Sequence, residues 1–353
     1  MHAAAVLLLA TLDLTGYAAA RGGSDYDAHA HIGVDWQPSS WLALHASATE
    51  DGLIEGHATL RRELGLDDVQ LRAGYFFLPT SRENRDDNWA SPYTLGFSSL
   101  NAWIGEEVRP LGVDVQYRHI TSSGHALSGG ATAFRGNDTM GTLLAWRGWA
   151  PGDRLSAYGE TLALPSLSSL EDDGPFHLQR DSGTQPFGKD LDGNTGWSAR
   201  VRFDRVQYTY VDNNGDRALH GDQYSWDTRF HLLSAEFGDP DRFVAAAEYM
   251  RGDTYMGLHT PFVAADFYSA YLLASYKRGR QRFSARYELF GTTDVDHSAA
   301  EANDESGRAW TLAYLFDVTP RLRAGAELAQ VAGHRSEVDL TRHTVTLEAR
   351  WRF

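Results

Sequence analysis

Arginine and acidic residues recur at every second position along several stretches of this 353-residue chain, a spacing that lines one face of a β-strand. The faces that carry them hold Arg61, Arg72, Arg118, Arg200, Arg202, Arg229, Arg286, Arg323, Arg350 and Arg352, together with Glu55, Asp114, Asp227, Glu288, Glu327 and Glu348. Basic side chains around a lumen favour anions. Opposite charges on neighbouring strands can instead pair and brace a wall without selecting any solute. Both roles fit this pattern, and the positive charge is almost all arginine, since Lys occurs only at Lys189 and Lys277.

A second concentration of chemistry lies in residues 79–110. Arg82, Glu83, Arg85, Asp86, Asp87, Glu106, Glu107 and Arg109 alternate there with Trp89, Tyr93, Phe97, Leu100, Trp103 and Ile104. A loop free in water would not carry that much apolar surface, and folding inward against a barrel wall would bury it. The segment is therefore the candidate constriction; the alternative is a structured cap over the rim. Asp190-Leu-Asp192-Gly-Asn194 and Asp212-Asn-Asn214-Gly-Asp216 space oxygen ligands around a glycine as a hard cation prefers, but the distal Glu of an EF-hand is missing from both. They read as solvated Asx-Gly turns, and no metal or other cofactor is expected. No G-x-S-x-G, H-E-x-x-H or Walker motif is present, so no catalytic residue is assigned and the chain is not expected to be an enzyme.

The elements that must hold these residues are strands. Gly numbers 34, Tyr and Phe 16 each, and Met only 4, a mixture of sheet and turn formers. No Cys is present, which excludes disulfides and thiolate chemistry. A net charge of -15 argues against nucleic acid as a partner. No run of eighteen apolar residues exists, so no helix crosses a membrane. The mean hydropathy of -0.41 leaves a barrel open, because barrel strands show lipid only every second residue. Val345, Leu347, Ala349, Trp351 and Phe353 alternate with Thr344, Thr346, Glu348, Arg350 and Arg352, one face suited to lipid and the other to water. Many of the apolar faces carry Ala, with Trp or Tyr near their ends, as a lipid-facing surface does.

Short turns at Pro38, Asp67, Pro151, Pro240 and Pro320 alternate with long polar connections, the asymmetry of an outer-membrane barrel. The expectation is an all-β, antiparallel transmembrane barrel of about sixteen to eighteen strands over residues 23–353, with short periplasmic turns and long extracellular loops. Two of the strands are expected at 141–149 and 154–163. Residues 1–22 read either as a signal-like segment, with Ala18-Ala19-Ala20 as its cleavage site, or as a truncated first strand.

The alternating last strand closed by Trp351 and Phe353 is similar to the assembly signal of bacterial outer-membrane proteins. A second likeness runs through Arg72-Ala-Gly-Tyr-Phe-Phe-Leu-Pro-Thr-Ser-Arg-Glu83, Glu106-Glu-Val-Arg-Pro-Leu-Gly-Val-Asp114 and Ala133-Phe-Arg-Gly136. These residues resemble the phosphate-selective porin superfamily, over about the middle hundred residues. The resemblance implies a sixteen-stranded, trimeric porin of the Gram-negative outer membrane, folded by the barrel-assembly machinery and bathed in lipid and lipopolysaccharide. The lysine cluster that would bind phosphate has no counterpart here, so phosphate specificity is not carried over. The function expected is passive diffusion of small polar solutes with a mild preference for anions. A barrel enzyme of the phospholipase or protease kind, or an adhesion or assembly scaffold, is the alternative.

Overall fold

The computed structural model describes residues 11–22, 26–86, 89–259, 262–298, 301, 303–335 and 338–353. Its strands are β1 (Thr11–Gly22), β2 (Tyr26–Ser39), β3 (Leu42–Thr49), β4 (Gly52–Leu64), β5 (Asp67–Tyr75), β6 (Leu111–Ile120), β7 (Ala126–Arg135), β8 (Gly196–Phe203), β9 (Val206–Asp212), β10 (Leu219–His220), β11 (Gln223–Tyr224), β12 (Asp227–Asp239), β13 (Phe243–Met256), β14 (Val263–Arg278), β15 (Gln281–Asp294), β16 (Glu305–Asp317), β17 (Leu322–Arg335) and β18 (Val338–Arg352). All but β10 and β11, which form a small hairpin of their own, join one closed antiparallel barrel of sixteen strands. Closure comes from β1 pairing with β18, in a register that runs from Tyr17 opposite Arg352 to Gly22 opposite Leu347. A closed barrel leaves no unpaired edge, the condition for a sheet to sit in lipid.

Residues 11–22 thus form a wall strand. The expected strands at 141–149 and 154–163 do not form. Both stretches belong to the long connection 136–195, where Thr142–Trp146 is a short helix, α2. The reason lies in burial: Leu143, Leu144, Ala145 and Trp146 are all buried in succession, and adjacent residues of a strand would point to opposite faces. Pro151 moves with them, onto the long-loop end. Pro38, Asp67, Pro240 and Pro320 lie at the other end, where the connections are short.

Alternation sets the two faces of the wall. On β18, Leu347 is 57% exposed and Glu348 5%. The outer surface carries Leu272, Leu312, Leu328, Val345 and Leu347, with Phe237, Phe243, Tyr276, Phe283 and Trp351 exposed towards the short-turn end. Apolar side chains at mid-height with an aromatic girdle are the signature of a lipid-facing barrel.

The connection 76–110 between β5 and β6 does not stay outside. It turns into the lumen and carries helix α1, Ser99–Glu107, all of whose residues are buried. Ser98 caps it, its hydroxyl accepting from the Asn101 N–H at 3.3 Å. Arg109 closes the other end by donating to Gly105 O at 2.7 Å. Trp103 projects from α1 between Phe230 and Phe267 of the wall, with ring centroids at 5.3 and 5.4 Å, and meets Trp149 at 6.1 Å. This core fills the lumen at the long-loop end and is shared by the loop, the wall and the connection 136–195.

Candidate functional site in the barrel lumen

The inward loop is tied to one side of the barrel by carboxylates of the wall. Glu248 on β13 accepts from the Arg82 N–H and the Asn101 side chain, each at 2.8 Å. Glu288 on β15 accepts from the Ser99 N–H at 2.7 Å and the Ser99 hydroxyl at 2.9 Å. Glu327 on β17 accepts from the Leu95 and Gly96 N–H groups at 2.7 and 3.1 Å. A buried carboxylate needs such donors, and backbone N–H groups of a turning loop supply them. Arg286 completes the latch: it pairs with Glu83 of the loop and, at 2.7 Å, with Glu288, and it donates to the Gly96 and Phe97 carbonyls at 3.0 Å each.

The opposite wall stays open. Between the loop and strands β2–β5 lies a cavity of about 950 Å³ that reaches the short-turn end, lined among others by His45, Glu55, His57, Arg61, Arg72 and Trp89. A second cavity of about 290 Å³ adjoins it along β5–β9; its charged lining is Arg72, Arg82, Arg200 and Arg202, without a carboxylate. Arg72 belongs to both. Among the described residues it forms no ion pair; its guanidinium lies 5.2 Å over the Phe76 ring, and its Nε is buried without a hydrogen-bond partner. Arg200 differs, because Asp114 takes both its terminal nitrogens at 2.6 and 2.8 Å and Thr132 donates to the same carboxylate at 2.7 Å.

The residues singled out in the sequence therefore separate. Arg72, Arg118, Arg200, Arg202, Arg323, Arg350 and Asp114 stand on lumen-facing positions. Several of these are engaged: Arg202 donates to Asp204 O at 2.7 Å, Arg323 to Asp317 at 2.9 Å, and Arg350 to Glu348 at 2.8 Å. Arg286 and Glu288, expected to line the pore, are sealed beneath the loop with side chains 2% and 1% exposed. Arg229 is on the wrong face. Phe230 and Leu232 of β12 point inward to meet Trp103 and its neighbours, so Arg229 and Asp227 fall on the outer face near the long-loop end, where Arg229 pairs with Asp253 at 2.8 Å.

Within 79–110, Arg82 donates to Gln207 at 2.8 Å, Arg85 pairs with Glu236, and Asp86 receives Arg352 at 2.7 Å. Asp87 lies outside the described residues. Glu106, Glu107 and Arg109 face away from open water. Glu106 binds Arg147 through both oxygens, at 2.9 and 2.6 Å. Glu107 accepts from Trp103 Nε1 at 2.6 Å and from the Leu143 N–H at 3.0 Å. Arg109 donates to the carbonyls of Ile54 and Ser156 at 3.2 and 2.6 Å. These three hold the connection 136–195 onto the inward loop. Trp351 and Phe353 are about half exposed on the outside, and the Phe353 N–H donates to Gly16 O at 3.2 Å.

Glu248 was not among the sequence candidates, nor were His45 and His57. The signal for Glu248 was there: the one carboxylate in a face that carries Val244, Ala246, Met250, Gly252, Thr254 and Met256. The two Asx-Gly turns meet in space, Asp192 accepting from the Asp216 N–H at 2.9 Å and from the Ser225 hydroxyl at 2.7 Å. Asp138, Asp190 and Asp192 bring carboxylate oxygens within 4.8 Å of one another. Burial, with Asp192 and Asp190 beside it, pushes the Asp138 carboxyl up to about 6.

No protein-family model matches this chain, and no curated protein does. Solved structures do match over nearly the full length. They include the outer membrane channel DcaP of Acinetobacter baumannii (TM-score 0.57, 11% identity, 98% of this chain and 97% of that one). The outer membrane protein OmpT of Vibrio cholerae, in trimer form, is also similar (TM-score 0.56, 11% identity, 98% and 99%). So is an anion-selective porin from Comamonas acidovorans (TM-score 0.52, 11% identity, 98% and 100%). The chain has the fold of these outer-membrane proteins, a porin-type barrel.

Proposed function

We propose that this protein is a porin of the Gram-negative outer membrane that passes small polar solutes with a mild preference for anions. The observation that carries the reading is Arg72, a lumen arginine that forms no ion pair among the described residues, set where the two cavities adjoin. Low-dielectric walls focus the field of a few nearby charges, while salt screens the acidic loops over about 8–10 Å. Arg72 and its neighbours therefore outweigh the net charge of -15. The inward loop acts as the constriction, and the short turns face the periplasm. The Vibrio cholerae barrel of the same fold is described as a trimer, and a homotrimer is the assembly proposed here.

Single-channel recording tests the reading. A stable open conductance is expected, with a reversal potential across a salt gradient on the anion side, shifting towards zero in Arg72→Ala. A closed barrel, or cation preference in the unaltered protein, overturns it. Trp351 and Phe353 are proposed as the assembly signal. Burying one aromatic side chain contributes only about 1.5–3 kcal/mol, and Phe353 is half exposed, so its loss alone does not unfold a large barrel. Deleting Phe353 should nonetheless lower the amount of heat-modifiable barrel in the outer membrane; unchanged assembly rules the signal out.

A further inference from the structure

The open wall carries a second chemistry beside its arginines. Cross-strand register sets Asp35 of β2 opposite His45 of β3, and His45 opposite His57 of β4. His45 Nδ1 lies 2.8 Å from Asp35 Oδ1. A carboxylate in that place accepts the Nδ1–H and fixes the tautomer that leaves Nε2 with its lone pair. This Nε2 faces Glu55 Oε2 at 3.9 Å, and both side chains are partly exposed to the cavity. Glu55 is held from its other oxygen, which accepts the Phe77 N–H at 2.8 Å. The His57 ring stacks on His45, with centroids 5.0 Å apart and planes 26° from parallel.

Gly74 sits opposite His57 with φ 134°, and a Cβ there would stand 2.3 Å from Gly56 O and 2.7 Å from the His57 Cα, so β4 and β5 approach closely where His57 stands and only glycine fits. Two ligand atoms bound to one ion at about 2.0–2.2 Å lie up to roughly 4 Å apart, the range of the His45–Glu55 separation. Histidines directly opposite on antiparallel strands have Cβ atoms about 4.5–5.5 Å apart; His57, whose Nδ1 lies 3.5 Å from Thr59 Oγ1, would join an ion held between His45 Nε2 and Glu55 Oε2 by turning its ring out of the stack about χ2, a broad torsion. Two imidazoles and one carboxylate suit borderline transition metals rather than Mg²⁺ or Ca²⁺, which take oxygen.

We propose that His45, His57 and Glu55 form a binding site for a divalent transition-metal ion of the Zn²⁺, Ni²⁺ or Cu²⁺ class on the lumen wall, with Asp35 orienting His45. The site goes beyond the pore reading and needs only the folded barrel. The test uses the tag-free full chain, folded in detergent and titrated with Zn²⁺ at equilibrium. One saturable site is expected, with no competition from Mg²⁺. Asp35→Asn should weaken it ten- to hundredfold, the usual effect of removing a partner that orients a ligand. The double variant His45→Asn, His57→Asn should abolish it while still migrating as a heat-modifiable barrel. With Cu²⁺ as the probe, electron paramagnetic resonance should show coupling to nitrogen that the double variant loses. Absence of saturable binding, equal binding by the double variant, or loss of binding only in Asp138→Asn overturns the site. Binding with no conductance would defeat the pore and leave the site standing, and conductance with no binding would do the reverse.

Discussion

Strands β12–β16 turn Phe230, Leu232, Met250, Phe267 and Phe290 towards the barrel interior, whereas β2–β8 turn His45, Glu55, His57, Arg72, Asp114 and Arg200 the same way. The same alternation runs through both halves. What differs is the filling: at the long-loop end protein packs against both sides, Ile54 of β4 and Phe134 of β7 included, whereas towards the short-turn end the β2–β8 side leaves room for water. In the filled half, Arg286, Glu288 and Glu248 are sealed and hydrogen-bonded, and they hold the loop. In the open half they are partly free. A polar interior is thus a property of a wetted lumen and not of barrels as such.

The sharpest way to break this contrast is Arg286→Ala. It would leave Glu83 and Glu288 buried without their cation, and removing one partner of a buried ion pair costs about 3–5 kcal/mol. Denaturant titration of the detergent-folded protein should show that loss, and single-channel conductance should rise as the loop leaves the wall. A variant with unchanged stability and conductance would mean that the apolar contacts of Trp103 hold the loop unaided.

A smaller effect separates two arginines of the open half. Arg200→Ala abandons the buried Asp114 carboxylate and should destabilise the barrel by roughly 3 kcal/mol, at the lower end of the range for a broken buried pair. Arg72→Ala removes no ion pair, so its stability change should stay within about 1 kcal/mol while its ion selectivity moves more than that of Arg200→Ala. The reverse order of selectivity effects would show that paired arginines still set the field in the lumen.

How much of this was legible in the sequence follows from the same contrast. The faces of β18 could be read directly, because Leu347 and Trp351 meet the lipid side while Glu348 and Arg350 turn inward, each as its type demands. The inward course of 79–110 could be read from its surplus of apolar residues. Arg229 was misassigned because Phe230 and Leu232 look lipid-facing until the loop that covers them is known. The stretches 141–149 and 154–163 failed likewise, since Leu143 and Leu144 are buried by neighbours distant in sequence. The row Asp35, His45, His57 depends on the register of three strands and has no local spacing to announce it.

The smallest expected effect lies where the connection 136–195 covers the filled half from above. Asp138 accepts the Leu191 N–H, and its own carbonyl accepts the Trp226 N–H at 2.7 Å, so it ties together two long-loop segments. Its carboxyl, raised to about 6 by burial and by Asp192 and Asp190, retains a proton at pH values where an unfolded chain, with an ordinary aspartate value near 4, has released it. Folding stability from this group is therefore full below about pH 4 and is lost as pH rises to about 6, after which it is level. Above that window the charged carboxylate sits against two others. Hydrogen exchange at the Leu191 amide, corrected for the intrinsic rate, should show severalfold lower protection at pH 8 than at pH 5. Asp138→Asn keeps the shape without the charge and should flatten the dependence, while the Leu95 amide, held inside the lumen by Glu327, should exchange alike in both proteins. Protection at Leu191 that is level with pH in the unaltered chain would place Asp138 among ordinary solvated aspartates and separate the cap over the lumen from the filled half beneath it.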